Sequence, residues 1–309
     1  MQGHRVAEIP FAKSFAGHET FSFRYSWLKK GLDGLMADPE VFQREDAIVR
    51  LGVGKNMVTS IRHWCMAARV AEEKPNNHSR LLQPTSFGVR LLADNGWDPF
   101  LEDDGTLWLI HWNLASAGTR AATWYWAFNR YHEYAFTREA MTESLSRTIQ
   151  TLGWAGISKS TIKRDVDCFV HTYLSPRQNK TSSSDSIECP LTNLDILLQE
   201  PDGERLRFRV GPKPSLPTAV FAYALLEFYN QGYAGRNTID LREIMRSEGS
   251  PALIFKLDEE SVLDYLDNLK DTTAGGLIFE DTALVRRVVK TKEGSMDSMA
   301  LLEMYYSGK

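Results

Sequence analysis

The chain has 309 residues, 43% of them hydrophobic and 25% charged, a composition that excludes a disordered or fibrous protein. Its length predicts two or three domains, with cores large enough to fold without a metal or disulfide staple. Net charge is −4, but residues 1–80 carry twelve Lys/Arg against nine Asp/Glu and residues 144–180 six against two, whereas residues 191–309 carry fourteen against nineteen. A uniformly acidic protein is therefore excluded, and the basic excess falls on particular segments.

The first predicted helix runs from Trp27 to Met36, amphipathic through Trp27, Leu28, Leu32 and Leu35, and stops near Asp38-Pro39, a dipeptide that disfavours continuation. A second is expected from about Arg44 to Leu51 and a third from about Lys55 to Val70, separated by Leu51-Gly52-Val53-Gly54. A helix-turn-helix needs a small residue at the chain reversal and apolar positions that lock the helices, and Ile48, Leu51, Gly52, Val53, Val58 and Ile61 supply them. The third helix then presents Lys55, Asn56, Thr59, Arg62 and His63 outward, residue types suited to phosphates and base edges. The competing interpretation is a solvated helical face, and a phosphate loop at Gly52–Asn56 fails for want of an upstream glycine and a preceding strand.

Leu81–Thr85 and Thr106–Ile110 read as extended segments around a helix at Phe87–Asp94, a wing-like extension of the first unit. Ala121–Tyr134, rich in aromatics, reads as a buried bridging helix. A second helix-turn-helix pattern starts at Thr137, runs to about Leu152, turns through Gly153–Ile157 and restarts at a Ser158 cap. Lys159, Ser160, Lys163 and Arg164 would face a partner, and the spacing of Ile157, Ile162 and Val166 suggests a divergent duplication of the first unit. Residues 176–190 are Ser- and Asn-rich between Pro176 and Pro190 and mark a domain boundary. Beyond them Leu206–Val210 alternates as a strand, Thr218–Tyr229 is an apolar helix, Asp240–Arg246 and Glu259–Lys270 form a helix pair, and Leu277–Phe279 with Leu284–Val289 resembles a hairpin.

The three cysteines, Cys65, Cys168 and Cys189, lack paired spacing, which argues against a disulfide framework or structural zinc. With no signal-peptide core and no apolar stretch of membrane-spanning length, the expectation is a cytoplasmic protein without a membrane partner. His18 and Glu19 stand side by side between aromatics with Arg24 nearby. Such a pair suits a general base or a shared metal, but without a second ligand set at metal spacing the preferred reading is a latch holding the loop to the core. His111 in its apolar context reads as a core histidine, and no nuclease constellation can be assembled from Glu72-Glu73-Lys74.

Several blocks, Phe15-x-Gly17-His18-Glu19-Thr20-Phe21, Arg24-x-x-Trp27-Leu28-x-Lys30-Gly31, Leu51–Val58, Ser60-Ile61-Arg62-x-Trp64 and Trp108-x-x-His111-Trp112-x-Leu114, resemble a bacterial SspB-like family of unknown-function domains found in DNA phosphorothioation gene clusters. The resemblance implies a partner in replacing a non-bridging phosphate oxygen of DNA by sulfur, beside a cysteine desulfurase, an ATPase and an ATP-pyrophosphatase-like enzyme. It also implies association with DNA nicking, for which His18, Glu19 and Arg24 are the first catalytic candidates, acting on water or magnesium.

The expected fold is mainly α with small β wings, in tandem winged helix-turn-helix units: residues 1–118, residues 119–180 and an α/β winged-helix-like region at 191–309. The expected function is to bind duplex DNA and position it for phosphorothioate modification. A transcriptional regulator and a scaffold for modification enzymes are the alternatives. Helix-turn-helix proteins often form homodimers, but no dimer surface is legible in this sequence.

Overall fold

The computed structural model describes residues 13–75, 80–175, 189–291 and 297–309, and the fold is mainly helical with small antiparallel sheets. Helix α1 (Tyr25–Ala37) buries Trp27, Leu28, Leu32 and Leu35 and ends at Asp38, whose backbone is extended as a residue before proline prefers. Helix α2 (Ala47–Leu51) stops at Gly52, whose φ of 60° a glycine adopts without a Cβ penalty. Helix α3 (Lys55–Ala67) follows at once and leads into an antiparallel pair, β1 (Ala71–Glu73) with β2 (Leu82–Pro84).

Next come α4 (Ser86–Leu92), α5 (Asp104–Ala115) and α6 (Ala122–Asn129), of which α5 and α6 are buried along nearly their whole length. The extended segment expected at Thr106–Ile110 is helical instead. Every residue from Gly105 to Ala115 is buried, so α5 shows no polar face and hence no helical periodicity. Asp103, which accepts the Gly105 N–H at 2.7 Å, is its local start signal.

The next elements are β3 (Ala135–Phe136), α7 (Arg138–Thr151), α8 (Lys159–Tyr173), a 3-10 turn at Pro190–Leu194, β4 (Leu197–Gln199) and β5 (Leu206–Phe208). Thr137 and Ser158 cap α7 and α8 as their sequence predicts, accepting from Ala140 N and Thr161 N. β5 lies between β3 and β4, so residues from both sides of the 176–190 segment build one sheet. That segment was the expected domain boundary, and its residues 176–188 lie outside the described residues.

There follow α9 (Thr218–Gly232), β6 (Thr238–Asp240), α10 (Leu241–Arg246), α11 (Pro251–Ile254), α12 (Glu259–Asp267), α13 (Leu269–Thr272), β7 (Leu277–Asp281), β8 (Arg286–Lys290) and α14 (Ser298–Ser307). The third sheet has the order β6-β8-β7, again with the last strand in the middle. Helix α14, which the sequence pattern did not flag, packs on α9 and fastens to the first third of the chain. Its Tyr305 hydroxyl donates to Asp103 at 2.8 Å, and its Tyr306 ring stacks on Trp97 at 4.9 Å.

One contiguous apolar cluster runs from Phe23 to Leu302. Within it His111 is a core histidine: Nε2 donates to Ile254 O at 2.9 Å, so Nδ1 accepts from the Tyr173 hydroxyl at 2.8 Å. The three cysteines are buried and free. No helix among the described residues is long and apolar enough to cross a membrane.

Candidate nucleic-acid interface

Helix α3 follows Gly54, an N-cap residue without a side-chain acceptor, so its first-turn N–H groups are uncapped by a side chain. Lys55, Asn56 and Thr59 are exposed there, and Arg62 is half-buried. Lys55, Thr59 and Arg62 stand at i, i+4 and i+7 and so share one helical face. On α8, Lys159, Ser160, Lys163 and Arg164 are all exposed. Lys159 pairs with Glu143 of α7, and the Ser160 hydroxyl lies 2.8 Å from that of Ser158. A cleft of about 360 Å³ opens between the two helices, lined by Arg138, Glu139, Glu143, Lys159, Ser160 and Lys163 among others.

His63 departs from the outward orientation expected for it. It is 7% exposed and turns toward the N-terminal segment, where a Cβ on Gly17 would come within 2.3 Å of its Nδ1. Burial pushes its pKa down to about 3, helped by His18, Arg120 and Arg62, so the ring is neutral.

The segment 13–24 connects α3 to α8. Thr20 N–H donates to His18 Nδ1 at 3.1 Å, so the ring proton sits on Nε2 and is donated to Asp165 Oδ1 of α8, also at 3.1 Å. Asp165 also accepts from Ala16 N–H at 2.7 Å and from the Thr123 hydroxyl at 3.1 Å. On the other side, the His18 carbonyl accepts from the Ser60 hydroxyl of α3 at 2.9 Å, and Trp64 Nε1 donates to Phe21 O at 3.0 Å. Lys13 reaches Ala155 O at 2.8 Å, in the turn before α8. This clasp closes around left-handed backbone at Ala16, Glu19 and Thr20, with φ of 61°, 49° and 69°. Non-glycine residues hold such angles only where surrounding contacts over-determine them.

The three catalytic candidates are thus neighbours in chain with separate surroundings. His18 is 1% exposed with both ring nitrogens in hydrogen bonds, Glu19 is exposed, and the Arg24 guanidinium lies over the Trp27 ring at 5.3 Å. Magnesium requires several hard oxygen ligands in near-octahedral array. Among the described residues no group of three or more His, Cys, Asp or Glu side chains is placed to hold a metal ion. Sequence reasoning missed Asp165: it lies 147 positions from His18, and no local pattern marks it as the partner.

A family model described as a protein of unknown function, DUF4007, matches residues 15–306. A crystal structure of SspB and a magnesium ion-bound SspB crystal structure each match with a TM-score of 0.87 and 31% identity. Each match covers 98% of this chain, and respectively 91% and 90% of the SspB chains. Comparison with curated proteins gives no match.

Proposed function

Because this chain belongs to the DUF4007 family and has an SspB-like fold, we propose that it is the DNA-binding component of a bacterial DNA phosphorothioate modification system. In this reading α6 to β5 and α9 to β8 are winged-helix units, and α1 to β2 is a third that lacks the first strand. The chain holds duplex DNA for sulfur incorporation by a cysteine desulfurase, an ATPase and an ATP-pyrophosphatase-like partner.

The observation that carries the reading is the fastening of two cation-bearing helices by one clasp. His18 touches Ser60, six residues into α3, and Asp165, seven residues into α8. The exposed groups Lys55, Asn56 and Thr59 and the exposed groups Lys159, Ser160, Lys163 and Arg164 therefore belong to one body. A duplex could engage both helices without a hinge opening between them. Cations at several phosphates give affinity and a steep salt dependence.

The clasp also bears on nicking. With Nδ1 accepting and Nε2 donating, His18 has no lone pair for a water, so the reading gives the His18, Glu19 and Arg24 block the work of joining units. Nicking is assigned to no residue.

The test is supercoiled plasmid with wild type and with His18→Ala/Glu19→Ala, each with and without magnesium, scored for open-circle product beside gel-shift binding. Binding without nicking in either protein supports a DNA-positioning component. Magnesium-dependent nicking by wild type alone, with the variant folded and still bound to DNA, returns the block to catalysis. Absence of salt-sensitive binding in wild type overturns the DNA reading and leaves the scaffold.

A further inference from the structure

The cationic face of α3 continues beyond the helix. Lys55, Thr59 and Arg62 advance along it by about 10 Å, seven residues at 1.5 Å each, and end beside the β1-β2 pair. There the Arg62 guanidinium donates to Arg80 O at 3.3 Å and lies 3.9 Å from Glu73 at the end of β1. From the other side Arg120, in the approach to α6, reaches the second oxygen of Glu73 at 3.0 Å.

The charge balance of this cluster is uneven. Among the charges acting on Arg62, Glu73 is the carboxylate that favours its cationic form, while Arg120 and Arg80 oppose it. Burial weighs most, and the net result depresses the Arg62 pKa. Two guanidinium groups, those of Arg62 and Arg120, thus meet at one carboxylate, and Arg80 is held beside them through its carbonyl. The Arg62, Glu73 and Arg120 side chains keep 27%, 35% and 46% of their surface exposed, so a ligand can reach all three. Arg80 is exposed. Neutral His63 lies beneath, where Arg62 and Arg120 both disfavour its protonation, and its Nε2 has no hydrogen-bond partner among the described residues.

Resting on the DNA reading above, we propose that Arg62, Arg80 and Arg120 form a clamp for one DNA backbone phosphate, a place that Glu73 holds in the free protein. A phosphodiester presents two non-bridging oxygens, which planar guanidinium forks match in pairs. It supplies the counter-charge that one shared carboxylate divides between Arg62 and Arg120. Glu73 is then a built-in competitor: it keeps the arginines pre-arranged and costs affinity, because DNA must displace it. The clamp extends the α3 contact onto the strand pair and the approach to α6, where the sequence named no DNA-contacting residue.

The experiment is fluorescence anisotropy of a labelled duplex titrated with full-length protein at several sodium chloride concentrations. Wild type is compared with Arg80→Ala, Arg120→Ala, Glu73→Gln and, as a control, Arg242→Ala at an exposed position of α10 in the acidic C-terminal region. Arg80→Ala and Arg120→Ala are each expected to weaken binding about five- to tenfold and to flatten the log–log salt slope by about one unit. Glu73→Gln is expected to tighten binding about threefold or more. Arg80 is exposed, so its substitution keeps the test independent of folding. Variants that match Arg242→Ala, with wild type binding DNA normally, overturn the clamp alone. Wild type without salt-sensitive binding overturns the clamp together with the DNA reading.

Discussion

Residues 122–208 and residues 218–290 share a strand order and, apart from the short helices α11 and α13 of the second, an order of elements, yet turn opposite charges outward. The first two turns of α8 expose Lys159, Ser160, Lys163 and Arg164; those of α12 expose Glu259, Glu260 and Asp264. Both helices start with the same device, Ser158 accepting from Thr161 N and Asp258 accepting from Ser261 N. Both bury an apolar stripe, Ile162, Val166 and Phe169 in one and Val262, Leu266 and the following Leu269 in the other. Buried residues and caps therefore set the shared backbone, and the exposed residues are left free to choose the partner. An acidic α12 repels a phosphate backbone, and DNA contact is expected from α8 alone of this pair.

The two helices also differ at their buried or half-buried seventh residue. In α8 this is Asp165, which holds the clasp; in α12 it is Tyr265, whose hydroxyl donates to Lys213 O and Leu216 O at 3.1 Å. The largest expected effect belongs to Asp165. Asp165→Ala leaves the buried donors of His18, Ala16 and Thr123 without an acceptor, at a cost on the order of 4 kcal/mol. Denaturant unfolding measures it, and a loss under about 1 kcal/mol would deny the clasp its role.

Much of this pair was legible in the sequence, and the reasons are local. Thr137, Ser158 and the Gly52 turn announce their helix boundaries because caps and left-handed glycines act on neighbouring residues. Lys159 to Arg164 were readable as exposed because α8 is amphipathic. The pairing of β3 with β5 was not readable: Ala135–Phe136 is too short for an alternating pattern, and its partner lies some 70 residues away. His63 was misoriented because the face it occupies is covered by Gly17, a contact between distant segments.

Next in size is the effect on DNA. Substituting Lys159, Lys163 and Arg164 together by alanine should lower the salt slope by up to about three units and weaken binding well over tenfold. Glu259→Ala/Glu260→Ala should leave both unchanged. Equal losses from the two helices would break the contrast between them.

A smaller effect lies at the seam between the two regions. Lys256, just before α12, donates to Phe128 O at 2.9 Å with its ammonium 4.5 Å from the Phe208 ring, and burial pushes its pKa down to about 7. Between that value and the ordinary lysine range near 10.5 the unfolded chain binds the proton and the folded chain does not. Stability therefore rises with pH over this window, by roughly 1–2 kcal/mol per pH unit while the difference persists. Lys256→Met should flatten the rise measured from pH 7 to 9. His63 and His111, both held near pKa 3, act in the same sense at lower pH: the unfolded chain takes up their protons below about 6.5, and stability falls as pH drops from there toward 3.

Tyr265→Phe sharpens the comparison with the smallest change. It deletes a hydroxyl that two carbonyls share and keeps the ring stacked on Phe221 at 4.6 Å, so the packing survives. Burial raises the phenol's pKa to about 12, and the donor stays neutral at every pH where the fold is measured. The loss should be about 1 kcal/mol and independent of pH, the worth of a neutral hydrogen bond at a half-buried site. The two carbonyls can turn to water, an escape that the buried donors around Asp165 lack. A loss as large as that of Asp165→Ala would mean that both helices carry equivalent straps. A small one leaves the clasp as a feature that distinguishes the cationic region from its acidic counterpart.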